Sequence, residues 1–148
     1  NIHCVIHDEI EDWYLVEEIS DFHFDGYALI SKDTVSKCRY DKNDKTFEDI
    51  IRKSGISPTP PPDMIQTSGN DFFTAIATLD TYISIESCDE DRFMIGTIYK
   101  VGTTRLLMNH FRADGTWFKR PTGIDYSEIG RACFLDEYGS SWYAYKNS

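Results

Sequence analysis

Strand-length runs of apolar, β-branched and aromatic residues recur through most of the chain, the pattern of a mainly β protein. Ile2, Cys4 and Ile6 alternate with His3, Val5 and His7, and residues 13–19 are β-branched, aliphatic and aromatic apart from Glu17 and Glu18. Further strand-length runs cover 27–30, 35–40, 82–88, 93–101, 105–111, 128–135 and 141–145. Strands this short and closely spaced predict small barrels or a sandwich. Two segments switch to helical spacing. Phe47, Ile50 and Ile51 share one face after the N-cap Asp44, with Lys53 in the last turn and Gly55 as a stop. Phe72, Phe73, Ile76 and Leu79 repeat that spacing after Asn70 and Asp71. Apolar stripes of this kind predict core-facing helices.

The stretch 56–69, ISPTPPPDMIQTSG, is rich in proline and turn residues and reads as a connector between halves 1–55 and 70–148. The halves share an order of features. Phe22, Asp25 and Gly26 precede Val35, Lys37 and Tyr40; Phe111, Asp114 and Gly115 precede Ile129, Arg131 and Phe134. Both read F-x-x-D-G, a strand, an aliphatic, a basic residue two on and an aromatic five on, which points to an internal duplication.

This arrangement resembles a family of uncharacterised bacterial proteins built from two Sm-like or SH3-like small β-barrels. The resemblance rests on FDGYALI followed by Val35 and Tyr40, on the helix after it, and on YISIES, FMIGTIYKV, FRADGTW, Pro121, IDYSEIG and a closing aromatic strand WYAYK. It covers nearly the whole chain. It implies a mainly β fold with two short helices, as two barrels or strongly bent sheets, and says little about activity. Sm-like proteins commonly bind RNA through an Asp and Asn in one loop and an Arg-Gly in another. Here Met108-Asn109-His110 has no following Arg-Gly loop.

Composition narrows the function classes. Nine Phe, nine Tyr and three Trp in 148 residues provide ample area for a folded core. No apolar run approaches the roughly 18 residues of a membrane span, so a cytoplasmic protein without membrane contact is expected. The chain begins at Asn1, as a trimmed chain does. Net charge is −10, and residues 1–30 hold eight acids without one Lys or Arg. That asymmetry disfavours phosphate-backbone binding and favours a basic protein partner.

Motifs for chemistry are absent. Cys4, Cys38, Cys88 and Cys133 are widely spaced without a CxxC pair and are expected as free thiols. His3 and His7 on one strand face would stand roughly 13 Å apart, too far to share a metal ion. Asp89-Glu90-Asp91 lacks the Gly and downstream Glu of a calcium loop and reads as a hairpin turn, as do Asp25-Gly26 and Asp114-Gly115. Cys4 points away from His3, and His110 with Asp114 has no nucleophile beside it. Neither a catalytic site nor a cofactor is expected.

The expectation is therefore a non-enzymatic acidic binding protein, most concretely an immunity protein neutralising a basic toxin such as a nuclease. Compact acidic proteins without catalytic motifs resemble bacterial toxin-immunity proteins. Glu9, Glu11, Asp12, Glu17, Glu18 and Asp21 would supply the charge, with Trp13 and Phe22 as apolar anchors among them. Strand alternation allows only some of these to share a face. The alternatives are a Sm-like adaptor that binds nucleic acid or assembles through strand edges, and an enzyme in which His110, His23 or Cys133 lines a polar pocket.

Overall fold

The structure is a computed structural model that describes residues 2–35, 42–62 and 69–148. Among the described residues, eight antiparallel strands form one open sheet. The strands are β1 (Cys4–Ile10), β2 (Trp13–Ser20), β3 (His23–Ser31), β4 (Ile83–Ser87), β5 (Phe93–Val101), β6 (Arg105–His110), β7 (Thr122–Asp125) and β8 (Ile129–Phe134). Their order is β1-β2-β3-β8-β4-β5-β6-β7. Two hairpin-built groups are thus joined through β8, which pairs Tyr27 with Phe134 on one side and Ser84 with Cys133 on the other. The expected mainly β class holds, whereas the sheet does not close into barrels.

Three helices among the described residues accompany the sheet: α1 (Lys42–Lys53), α2 (Gly69–Ile76) and α3 (Glu137–Lys146). The first two occupy the segments that helical spacing marked. The third corrects the closing strand expected over 141–145: WYAYK is helical. Trp142 and Tyr143 pack against Tyr82, Ile95 and Phe111, while Tyr138 and Tyr145 are exposed. Gly139 sits so close to the Tyr82 carbonyl oxygen that a Cβ would lie 2.5 Å from it. Tertiary packing thus outweighs the β propensity of these aromatics. The strand expected over 35–40 lies, beyond Val35, outside the described residues, as do Lys37, Cys38 and Tyr40. Among the described residues, no helix is long and apolar enough to cross a membrane.

Alternation sends Trp13, Leu15, Leu29, Ile83, Ile85, Ala132 and Phe134 to one face, where they join Phe72, Phe73 and Ile76 of α2 in the main core. Phe134 packs between Tyr27 and Phe72, with ring centroids 5.7 and 5.8 Å away. The opposite face carries Val16, Ala28, Ile30 and Cys133. Two corners recur. Gly26 and Gly115 both adopt positive φ, 73° and 90°. Strand β3 and strand β7 each lead into a 3-10 turn, Lys32–Thr34 and Tyr126–Glu128, closed by the following aliphatic N–H donating to its first carbonyl.

Candidate functional site

The register of the sheet brings four acidic turns to one end. Trp13 pairs with Ser31, Ile30 with Arg131, Ser87 with Ile129, and Glu86 with Phe93. The β1–β2 turn, the 3-10 turns after β3 and before β8, and the β4–β5 hairpin must therefore be neighbours. Backbone bonds tie them together: Lys32 N–H donates to Asp12 O at 2.9 Å, and Cys88 N–H to Glu128 O at 2.8 Å. Exposed at this end are Glu9, Glu11, Asp12, Asp33, Asp89, Glu90, Asp91 and Glu128. Two of these acids are paired with cations. Lys32 Nζ is 3.0 Å from Glu9 Oε2, and Arg92 Nη1 is 3.5 Å from Glu128 Oε2. The concentration of negative charge is felt by Cys88, whose thiol is pushed up first by burial and then by Asp33 and Asp89.

Backbone geometry adds to the picture. Glu11 and Glu90, in the two hairpin turns, hold φ of 53° and 60°. A residue with a Cβ pays about 1–2 kcal/mol in that region, where glycine would be unstrained. Asp21 at the far end of β2 and the apolar Leu135 hold the same conformation, at φ of 53° and 56°.

The residues marked in the sequence as the docking face separate into three places. Glu9, Glu11 and Asp12 belong to the acidic end. Asp21 and Phe22 lie at the far end of β2, roughly 23 Å away at about 3.3 Å per residue, where Phe22 leans on Phe47. Trp13 and Glu17 are buried, and Glu18 is half-buried. Trp13 is a core residue with its ring edge-on to Phe73 at 5.7 Å, so it is not a surface anchor.

Glu17, only 4% exposed, holds the connector to the sheet. Its Oε1 accepts from Thr59 N–H at 3.0 Å and lies 2.9 Å from His7 Nε2, while Tyr27 Oη donates to Thr59 O at 2.8 Å. His7 is the extra residue of a bulge between Ile6 and Asp8, which turns its ring to Glu17. His3 instead stacks on Phe47 at 5.5 Å. The two histidines take separate partners, and no group of three or more His, Cys, Asp or Glu among the described residues is arranged to hold a metal ion.

Glu18 faces a second bulge, where Asp25 and Gly26 of β3 stand opposite it, and its side chain lies on the sheet face opposite to Glu17. There its Oε1 is 3.3 Å from Arg131 Nη1, an ion pair whose geometry falls short of a hydrogen bond. Glu18 Oε1, Arg131 Nε and Asp136 Oδ1 are buried without a hydrogen-bond partner. Burial raises the Glu18 carboxyl above its ordinary range, Arg131 pulls it down, and Asp136, Asp25 and Glu86 push it up again. Asp136 is raised by burial and by Asp25. Sequence spacing could not reveal this knot, because its members meet only through β8.

The residues considered for an enzyme do not converge. Cys133 is buried, its thiol pushed up to about 12 by burial and then by Glu18, which leaves it un-ionised and a poor nucleophile at neutral pH. His23 is exposed at the β2–β3 turn. His110 lies 2.8 Å from the Thr122 hydroxyl and stacks on Phe118 at 4.3 Å, its protonation disfavoured by burial and by Arg92 and Arg112. A cavity of about 930 Å³ separates α1 from the sheet face bearing Tyr14, Val16 and Ile30. Compared with known proteins, the chain matches no family model, no curated protein and no solved structure.

Proposed function

We propose that the protein binds a basic protein partner through the acidic end of its sheet, in the manner of an immunity protein that blocks the cationic cleft of a toxin such as a nuclease. One observation carries this reading: acids from turns far apart in sequence, including Glu11, Asp33, Glu90 and Glu128, are gathered at one end against few cations. Carboxylates presented this way would stand in for the phosphates of a nucleic acid and speed encounter with a cationic surface. This reading places the contact at Glu9, Glu11 and Asp12 and extends it to Asp33, Asp89, Glu90, Asp91 and Glu128.

The test is copurification of the partner at low ionic strength, followed by affinity measured across a salt series. Affinity should fall steeply as salt screens the pair. A variant carrying Glu11→Lys, Asp12→Lys, Asp33→Lys and Glu90→Lys should lose the partner while keeping its thermal transition. Equal retention by the variant, or an affinity indifferent to salt, overturns the proposal.

An internal duplication is supported by the repeated corners, with Gly26 and Gly115 in matching conformations before matching 3-10 turns. A second function, as an adaptor associated with nucleic acid, draws on a different surface. Trp117 and Phe118 are exposed there, Arg112 stacks on Phe118 at 4.1 Å, and Lys146 lies 4.9 Å from the Trp117 ring. Aromatic faces beside cations suit unpaired bases. Filter binding with single-stranded RNA tests it: retention lost on Trp117→Ala and Phe118→Ala favours the adaptor, and no retention removes it.

A further inference from the structure

The cavity beneath α1 runs along the sheet from Ile19 and Phe24 to the acidic end, where Ser87, Cys88, Glu90 and Gly130 line it beside the exposed acids. Tyr14, Val16 and Ile30 from the sheet and Phe47 and Ile51 from α1 give it an apolar wall; its charged lining is Asp44, Glu48, Glu86 and Glu90 against Arg52 and Arg131. Its volume, about 930 Å³, lies at the upper end of small-molecule pockets and has room for more than one side chain.

Acids outnumber cations along this lining, and Arg52 and Arg131 are already paired, with Glu48 and Glu18. An anionic head is therefore disfavoured there. An apolar side chain flanked by cations is drawn in, and burial of the apolar part then holds it. We infer that the cavity receives apolar side chains from a Lys- or Arg-rich segment of the basic partner. The inference rests on the reading of the acidic end and deepens it: the charged rim steers and the cavity anchors, the division seen where buried anchors dominate binding energy and rim charges dominate encounter.

Two short synthetic peptides of equal length and charge separate these contributions, one alternating Lys with Leu and the other Lys with Ser. Titrated into the full chain at moderate salt, the Lys–Leu peptide should bind at least about tenfold more tightly, since burying one leucine provides that much. Methyl resonances of Val16, Ile30 and Ile51 should move with the Lys–Leu peptide alone. Val16→Phe, which fills the cavity, should erase the difference and leave Lys–Ser binding unchanged. If that variant fails to fold, the methyl shifts still decide. Equal binding of both peptides with unmoved methyls overturns the cavity inference and leaves the acidic end intact. Absence of any binding overturns both. Uptake of decanoate in preference to the Lys–Leu peptide assigns the cavity to a small amphiphile and likewise overturns the inference.

Discussion

Phe134→Ala should lower the unfolding free energy by about 4 kcal/mol, within the range for a phenylalanine truncated in a packed core. The side chain is fully buried, between Tyr27 of β3 and Phe72 of α2. It therefore contacts elements from both halves of the chain at once, and a cavity left there cannot be filled by movement of one neighbour. Against a total stability of about 5–15 kcal/mol, the loss is a large fraction. The midpoint of a urea titration should drop with the slope unchanged. Phe134→Leu, which keeps most of the volume, should cost about 1.5 kcal/mol. A loss under about 1 kcal/mol for the alanine variant would mean that β8 is not packed between the two groups.

Arg131→Met should destabilise by about 2–3 kcal/mol at neutral pH, less than the ~3–5 kcal/mol of a fully buried pair because Arg131 keeps partial exposure. The pH dependence is diagnostic. Glu18 and Asp136 hold their protons to higher pH in the folded protein than their ordinary values of 4.5 and 3.8. Above those values the folded state binds more protons than the unfolded state, so the contribution of these two groups falls as pH rises through the raised range. Arg131 opposes this at Glu18; its removal raises the Glu18 carboxyl further and steepens the fall. The gap between variant and wild type should therefore widen from mildly acid to neutral pH, and Arg131→Lys should narrow it. A gap independent of pH would mean that Arg131 acts through packing alone. Denaturant melts across that pH window give the comparison.

Most of the fold was legible because its strands are half-buried. Aromatic and β-branched runs locate β2 and β3, and apolar stripes locate α1 and α2, although Asp44 and Asp71, expected as caps, lie inside the first turns of these helices. The third helix was obscured by Trp142, Tyr143 and Tyr145, whose strand propensity is high. Its signals were Asp136 and Glu137 at the start and Lys146 in the last turn. Strand β7 is four residues squeezed between Pro121 and a 3-10 turn, too short for alternation to register.

The candidate site was legible in part. Local charge marks Glu9, Glu11 and Asp12, but nothing local joins them to Asp89 and Glu128, which become neighbours only through β8 pairing. The parity of Trp13 with Leu15 already assigns it to the core face. Glu17 shares that parity, and its burial depends on Thr59, 42 residues away.

The position of β8 also sets the order in which the protein can assemble. Synthesis delivers β1–β3 and β4–β7 first, each group ending in a ladder of unpaired amides and carbonyls, on β3 and on β4. These edges stay open until residues 129–134 emerge and slot between them, pairing with segments about 50 and 100 positions upstream. Closure over such spans is slow, and until it occurs each nascent group presents a strand able to pair with a neighbouring chain. Early termination upstream of Ile129 should therefore yield polypeptide prone to aggregate.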